Sequence, residues 1–397
     1  MIIKPSIRSN FFTNSHPLGC RQNVYNQVLE AKSFQNFEGP KNVLIIGGSS
    51  GYGLASRIAL AFGANSNTLN VSFESAPKAK KTGSSGWWNN IYFQEFAKET
   101  KNLHKDFVGD AFSQEMKDNV IDYAKKHMGK FDLVIYSLAS GGRLNYATNE
   151  IIKSHIKTIG EEAKGKTIDI LDLEVKELVV TSATEQEVKD TVYVMGGSDW
   201  HDWIDTLDQN DLLNPGAKTI SYTYVGGPTT EKIYRGGTVG KAKEDLERHA
   251  VLMNEMMKNK YDGEALISSS KAVATKASVY IPSMTNYISC LYDVMDRYGV
   301  HESILKHKYR LFRDMIYGNK RIVDSQKRIR LDHLEMDEKI QYETVHMMHT
   351  ISNEDLLNLK GTKMFLKDIY QINGFEFDNI NYEEDVDIDA LSELHPE

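Results

Sequence analysis

Tyr234, Lys241 and Lys243 are the residues whose types and spacing could do chemistry together. They lie in the run Ile233-Tyr234-Arg235-Gly236-Gly237-Thr238-Val239-Gly240-Lys241-Ala242-Lys243, just ahead of residues 244–260, whose apolar periodicity predicts a helix. A phenol can donate a proton to a developing oxyanion, and an ammonium close by favours the phenolate left behind. Nine residues of unbroken helix turn through about 900°, which would set Tyr234 and Lys243 on opposite faces. The glycines at 236, 237 and 240 predict a break, so that Tyr234 hangs from a loop and Lys243 rises from the first helical turns. Spacing leaves Lys241 open beside Lys243. It also leaves Tyr222 and Tyr224, from the β-branched and aromatic run 218–225, open beside Tyr234. With 20 tyrosines in the chain, one Tyr/Lys pair needs a second signal.

Residues 42–63, NVLIIGGSSGYGLASRIALAFG, supply it. The order is a short apolar strand (Asn42 to Ile46), a glycine-rich turn (Gly47 to Gly53), and a helical pattern starting near Leu54. Gly47, Gly48, Gly51 and Gly53 lack the Cβ atoms that would keep a backbone from a pyrophosphate, and the helix start offers free N–H groups and a positive dipole end. The next β-run, residues 69–74, ends on Glu74, near the distance at which dinucleotide folds place the carboxylate that grips the adenosine ribose. A carboxylate there would repel a 2′-phosphate, so the expected cofactor is NADH rather than NADPH.

The alternation continues. Residues 106–110 read as a third strand, Ser113 as an N-cap, Met116, Val120, Ile121, Ala124 and Met128 as one helix face, and Gly129 as its stop. Residues 132–136 form another buried strand and run into Ser137-Leu138-Ala139-Ser140-Gly141-Gly142, small residues at the edge where open α/β sheets bind ligands. The Lys/Gly/Ser-rich loop 75–86 could border the adenine or be a surface excursion. Asp199, His201, Asp202 and Asp205 could be drawn as a metal cluster, but Trp200 and Trp203 at i, i+3 favour a helix with an apolar side. His16 with Cys20, and His346 with His349, read as packing residues, so no metal is expected.

At 397 residues and 41% hydrophobic, the chain can bury a large core. Residues 376–397, which carry nine acids and no Lys or Arg, hold more than the whole net charge of −8 and are expected to be a solvated tail. That balance disfavours nucleic acid as a partner. Two cysteines and the absence of a long apolar run point to a reducing cytoplasm, with no membrane anchor. Residues 284–295 carry a Met/aromatic stripe that could line an acyl channel or be plain core. Residues 306–330 are basic, either a solvated face or an attractor for a substrate's phosphates.

Taken together, GGSSGYGLASRIALAFGA (47–64), Phe73-Glu74, GDAFS (109–113), DLVIYSLAS (132–140), MGGSDW (195–200), IYRGGTVGKAK (233–243) and KAVATKASVYIP (271–282) resemble the single-chain trans-2-enoyl-CoA / enoyl-acyl-carrier-protein reductases, the FabV type. The likeness runs from the first residues to the acidic tail, with Ser140-Gly141-Gly142-Arg143 as a local departure. The family is an enlarged relative of the short-chain dehydrogenases with a Tyr-x8-Lys site, and the resemblance implies a role for each matching residue. Tyr234 would be proton donor, with Lys243 as its partner, and Tyr224 would meet the thioester. Gly47, Gly48, Ser49, Ser50, Gly51, Tyr52, Phe73, Glu74, Asp110, Ala111, Leu138, Ala139, Lys243, Val273, Ala274 and Thr275 would contact NADH. The expected fold is α/β: a Rossmann-like, doubly wound, mostly parallel sheet with N- and C-terminal additions over the substrate mouth. Residues 1–40 are expected to pack on an NADH-binding catalytic domain, 41–290, followed by a helical extension with an acidic tail, 291–397. The implied activity is NADH-dependent reduction of the C2=C3 bond of trans-2-enoyl thioesters of CoA or acyl-carrier protein in fatty acid synthesis, by a monomer. Carbonyl reduction by the same Tyr/Lys pair, and NADH sensing without turnover, are the alternatives.

Overall fold

Five consecutive buried residues, Asn42–Ile46, form the central strand β1, and burial on both faces is what an apolar run in a parallel sheet requires. The computed structural model describes every residue except 9, 80, 232, 233, 276, 277, 282 and 397. Lys80 of the loop, Ile233, Lys276, Ala277 and Pro282 of the quoted motifs, and Glu397 of the tail therefore lie outside the described residues. The remaining strands of the sheet are β2 (Asn67–Ser72), β3 (His104–Val108), β4 (Phe131–Tyr136), β5 (Leu213–Thr223), β6 (Glu264–Ser269) and β7 (Ile329–Arg330). Their order is β7-β6-β5-β4-β1-β2-β3, with every pairing parallel. The doubly wound sheet is as expected, and its direction of winding reverses between β1 and β4, which opens a crevice at their carboxyl ends. Strands β6 and β7 carry no sequence expectation. Glu264-Ala-Leu-Ile-Ser-Ser is too short an apolar run to separate from a helix end.

Alternation along β1 sends Val43 and Ile45 to one face and Leu44 and Ile46 to the other. The first face is covered by α1 (Pro17–Ser33), α2 (Gly51–Gly63) and α3 (Ser85–Ala97), the second by α4 (Gln114–Tyr123), α5 (Ser198–Gln209) and α6 (Thr238–Tyr261). Ser113 caps α4 by accepting from the Met116 N–H, and Gly129, at φ +84°, follows the wide turn that ends it. Trp200 and Trp203 of α5 are wholly buried, while Asp199 and Asp202 close on Lys117. A third core lies beyond the carboxyl ends of the strands. There α7 (Met284–Arg297) packs against α9 (Glu338–Thr350) and α10 (Lys360–Ile372), while α8 (Ile304–Arg310) returns to the first face against α2.

Behind β1 and β2, Arg57 of α2 grips Asp106 of β3 through Nη1–Oδ1 (2.6 Å) and Nη2–Oδ2 (3.1 Å), with both side chains fully buried. Asn70 and Gln94 donate to the same carboxylate, and Asn70 Oδ1 accepts the Gly48 N–H at 2.8 Å. The glycine turn is thereby tied to a dry polar network in which each charge has its partner.

Two expectations need correction. Ile3, outside every strand, is buried with Phe375, Val386 and Ile388. The acidic tail is therefore anchored rather than merely solvated: its described carboxylates are exposed while Phe377, Val386 and Ile388 turn in. The basic stretch is mostly consumed internally. Lys308 is fully buried, Arg310 binds Glu302, Arg321 binds Glu264, and Arg328 and Arg330 bind Asp324 and Asp332. Among the described residues, no helix is long and apolar enough to cross a membrane.

Candidate active site

The crevice at the strand ends opens into a cavity of about 690 Å³, within the range of small-molecule sites. Its nucleotide end is backbone. Gly47 sits at φ +94°, where a Cβ would lie 2.4 Å from the Ser137 carbonyl, and a Cβ on Gly53 would lie 1.9 Å from the Gly47 carbonyl. Helix α2 starts at Gly51, three residues earlier than its apolar pattern. Its N-cap Ser50 makes no side-chain cap and its first turn carries no acid, so the first N–H groups of α2 are left for a ligand. This cradle, which any side chain would fill, fits a pyrophosphate.

Glu74 stands beside it at the end of β2. Ser49 Oγ donates to its Oε1 at 2.5 Å and Ser84 Oγ to its Oε2, which holds the carboxylate on the cavity wall. Because Ser84 lies in the loop 75–86, that loop borders Glu74. Phe73, Asp110, Ala111, Leu138, Ala139, Val273 and Thr275 complete this end together with Gly47, Ser49, Ser50, Gly51 and Tyr52. Gly48 and Ala274 lie one layer back, Gly48 on Asn70 and the Ala274 N–H on the Tyr292 hydroxyl. The departure at Ser140-Gly141-Gly142-Arg143 becomes a hairpin, Gly142–Asn145 with Glu150–Lys153, that adds Leu144 and Ile151 to the wall.

At the other end, Tyr224, Tyr234 and Lys243 line the same cavity. Helix α6 begins at Thr238, six residues before its apolar run, and places Lys243 in its second turn. The break falls at Gly236 and Gly237 as expected, but Gly240 lies inside the helix. Its missing Cβ would stand 1.9 Å from the Arg235 carbonyl, so Gly240 lets the Tyr234 loop rest on the first turn. Tyr234 packs edge-on against Tyr224, centroids 5.0 Å apart. Burial pushes both phenols above their ordinary range. Lys243 Nζ donates to the Tyr222 carbonyl at 3.2 Å, and burial lowers its pKa to about 8. Placement separates the two lysines, since Lys241 is exposed and paired with Glu244 while Lys243 lines the cavity. It leaves Tyr224 and Tyr234 together in the cavity, which Tyr222 also lines with its hydroxyl engaged by Ser56 at 2.6 Å.

The rest of the wall has an apolar part, Leu144, Ile151, Ile281, Met284, Ile288 and Ile372, and a polar part that includes Tyr136, Arg143, Thr223 and Ser278. The α7 stripe divides accordingly, Met284 and Ile288 facing the cavity while Tyr287, Leu291 and Met295 are core.

The whole chain matches known proteins. Residues 2–79 match the NAD(P)H binding domain of trans-2-enoyl-CoA reductase, residues 81–317 the trans-2-enoyl-CoA reductase catalytic region, and residues 323–386 the enoyl reductase FAD binding domain. The chain belongs to the trans-2-enoyl-CoA reductase family. The NADH-dependent trans-2-enoyl-CoA reductase of Clostridium beijerinckii is 45% identical over the full length of both chains. The NADH-dependent enoyl-[acyl-carrier-protein] reductase 2 of Photobacterium profundum is 42% identical over 99% of this chain and all of its own. The crystal structure of the Clostridium acetobutylicum trans-2-enoyl-CoA reductase in complex with NADH superposes with a TM-score of 0.97, at 42% identity and full coverage of both.

For this reductase, the FAD description of the third region can be tested on its residues. A flavin dinucleotide needs a glycine turn free to meet phosphate, and residues 323–386 contain only Gly361 and Gly374. Both are spent on packing: a Cβ would lie 2.0 Å from the Ser289 carbonyl at Gly361 and 2.3 Å from the His16 carbonyl at Gly374. The region does not fit that cofactor. It supplies Ile372 to the cavity and Glu335 behind it, neither carried by any sequence signal because their roles depend on contacts across the chain.

Proposed function

We propose that this reductase reduces the C2=C3 bond of trans-2-enoyl thioesters with NADH, using Tyr234 as the hydroxyl that meets the developing charge, Tyr224 as a second contact to the thioester, and Lys243 as the cation beneath them. The observation that carries the reading is that two phenols and a buried ammonium share one wall of a cavity whose far end is a bare glycine turn.

When bound, NADH supplies the hydride that adds to C3. The charge then gathers on the thioester oxygen, where a donor already aimed at it stabilises the enolate until C2 takes up a proton and the saturated thioester is complete. Tyr234, held at the edge of the Tyr224 ring and shielded by Met284, Ile288 and Ile372, can give that hydrogen bond. Lys243 has one N–H on the Tyr222 carbonyl and two left for the ribose nearest the reacting ring. The glycine turn holds the pyrophosphate, and Glu74 holds the adenosine ribose and opposes a 2′-phosphate. An adjoining cavity of about 340 Å³, lined by Asn10, Lys81, Ser85 and Asn373 and meeting the first at Ile372, offers room for the arm that carries the thioester.

Relatives named for CoA and for acyl-carrier protein are almost equally similar, so either carrier is accepted in this reading, and parallel kinetics on the two crotonyl thioesters rank them. A monomer is the state that the family resemblance implies, and two buried free cysteines support a reducing cytoplasm. The test follows NADH absorbance with crotonyl-CoA, with acetoacetyl-CoA and with neither. Oxidation with crotonyl-CoA is expected. Oxidation with acetoacetyl-CoA alone would make the protein a carbonyl reductase, and binding without oxidation would make it a sensor.

A further inference from the structure

Behind the cavity wall lies a carboxyl group that the reaction above does not use. Glu335 follows the single turn Leu331–Leu334 and is fully buried. Three donors converge on it: Tyr287 Oη at 2.7 Å and Tyr224 Oη at 3.1 Å on Oε1, and the Ala272 N–H at 2.6 Å on Oε2. Gln341 Nε2 donates to Tyr287 Oη at 2.9 Å, which leaves the Tyr287 hydrogen no better acceptor than Glu335. Tyr224 is different, because its ring lines the cavity while its hydroxyl reaches the carboxyl. A phenol has one hydrogen to give. If Glu335 is ionised, it draws that hydrogen to itself, and Tyr224 offers the cavity only lone pairs. If Glu335 is protonated, its own O–H can donate to Tyr224 Oη, and the phenol hydrogen is free to turn elsewhere. The other polar neighbours of Tyr224 Oη are the Tyr287 hydroxyl, whose oxygen already accepts from Gln341, and Thr230 Oγ1, which is 3.5 Å away and gives its own hydrogen to the Gly227 carbonyl, so both compete weakly.

We propose that Glu335 is a positioning residue for the thioester: in its protonated form it turns the Tyr224 hydroxyl into a donor toward the substrate oxygen, and in its ionised form it withdraws that donor. The proposal rests on the enoyl-thioester reading above and involves no bond broken or formed at Glu335. Burial pushes the Glu335 carboxyl up to about 7, with the Asp332 carboxylate adding to the rise and the Tyr287, Ala272 and Tyr224 hydrogen bonds opposing it, so both forms are populated near neutrality. The other groups facing it are Tyr52, Asp332 itself, held by Arg330 and Ser269, and the buried Lys271, whose ammonium is on the Glu302 carbonyl.

The experiment is the pH profile of kcat with crotonyl-CoA, read beside the infrared carboxyl band of the free enzyme. The wild type is expected to lose several-fold in kcat as pH rises through about 7, with a protonated-carboxyl band that fades over the same interval. Glu335→Gln, whose amide can donate to Tyr224 at any pH, should remove both the limb and the band while NADH affinity, read by fluorescence, stays within twofold. Tyr224→Phe should remove the limb and keep the band, and the double variant should match Tyr224→Phe. Tyr287→Phe keeps the carboxyl but deletes a donor to its ionised form, so limb and band should both move to higher pH; this variant serves if Glu335→Gln fails to fold. A limb that survives Glu335→Gln or Tyr224→Phe, or a limb that Tyr287→Phe does not move, overturns the proposal alone. A wild type inert on crotonyl-CoA at every pH overturns the functional reading and this inference with it.

Discussion

At its nucleotide end the cavity is founded on backbone from residues 42–74, two strands and the turn and helix between them, with Asp110, Leu138 and Val273 closing round it. At its thioester end it is drawn by side chains as far apart in the chain as Leu144, Tyr234, Met284 and Ile372. The first end works by subtraction: Gly47 and Gly53 leave room that no other residue leaves. The second works by addition, since each wall residue must be delivered by a different element and held by what packs behind it. A pattern that is local and made of missing atoms tolerates little change in residue type. One assembled over a distance tolerates change at its edges and fails when a reacting group is removed.

Three tests sharpen this contrast. The largest effect should come from Tyr234→Phe, which removes one hydroxyl from the assembled end. We expect kcat to fall by about 10²–10³-fold, the cost of one well-aimed oxyanion donor, with NADH affinity unchanged by fluorescence titration; near-normal kcat would break the assignment. The next should come from Gly53→Val, which adds atoms to the subtractive end. With a Cβ contact of 1.9 Å at the Gly47 carbonyl, the turn must deform at about 1–3 kcal/mol. NADH affinity should drop by tenfold or more and thermal stability with it, and an unchanged Kd would mean that the turn does not hold the pyrophosphate. The smallest effect concerns Lys243, where the two ends meet. Burial disfavours its charged form, so raising the pH through about 8 discharges it, and NADH binding should weaken several-fold over that interval. Lys241→Ala should leave that curve within twofold, because its ammonium pairs with Glu244 at the surface; a loss equal to that of Lys243→Ala would reverse the choice between them.

The same contrast explains what could be read in the chain before its fold. Strand β1 was legible to the residue, and the turn, Glu74 and the first four strands of the sheet to within a few residues, because each carries its signal in adjacent positions. Tyr234 and Lys243 were legible as a pair but not as a choice. Nothing local distinguishes Lys243 from Lys241, whereas the helix start at Thr238 sends one to the cavity and the other to solvent. Strands β6 and β7, the hairpin at 142–153 and Glu335 were not legible at all. The significance of Glu335 comes from Tyr224, Tyr287 and Ala272, which approach it from segments 48 to 111 positions away. The basic run 306–330 misled for a related reason. Charge is visible in a sequence, but the acids that neutralise it, such as Glu264 and Glu302, reach it only through the fold.

The pair Arg57 and Asp106 has a consequence for how this chain can drift. Losing either partner alone would strand a full charge in the dry interior beneath the glycine turn, at about 3–5 kcal/mol, whereas replacing both by apolar residues of matching volume could be nearly neutral. Their two codons are therefore free to change only in concert, and descendants of this gene should carry both or neither.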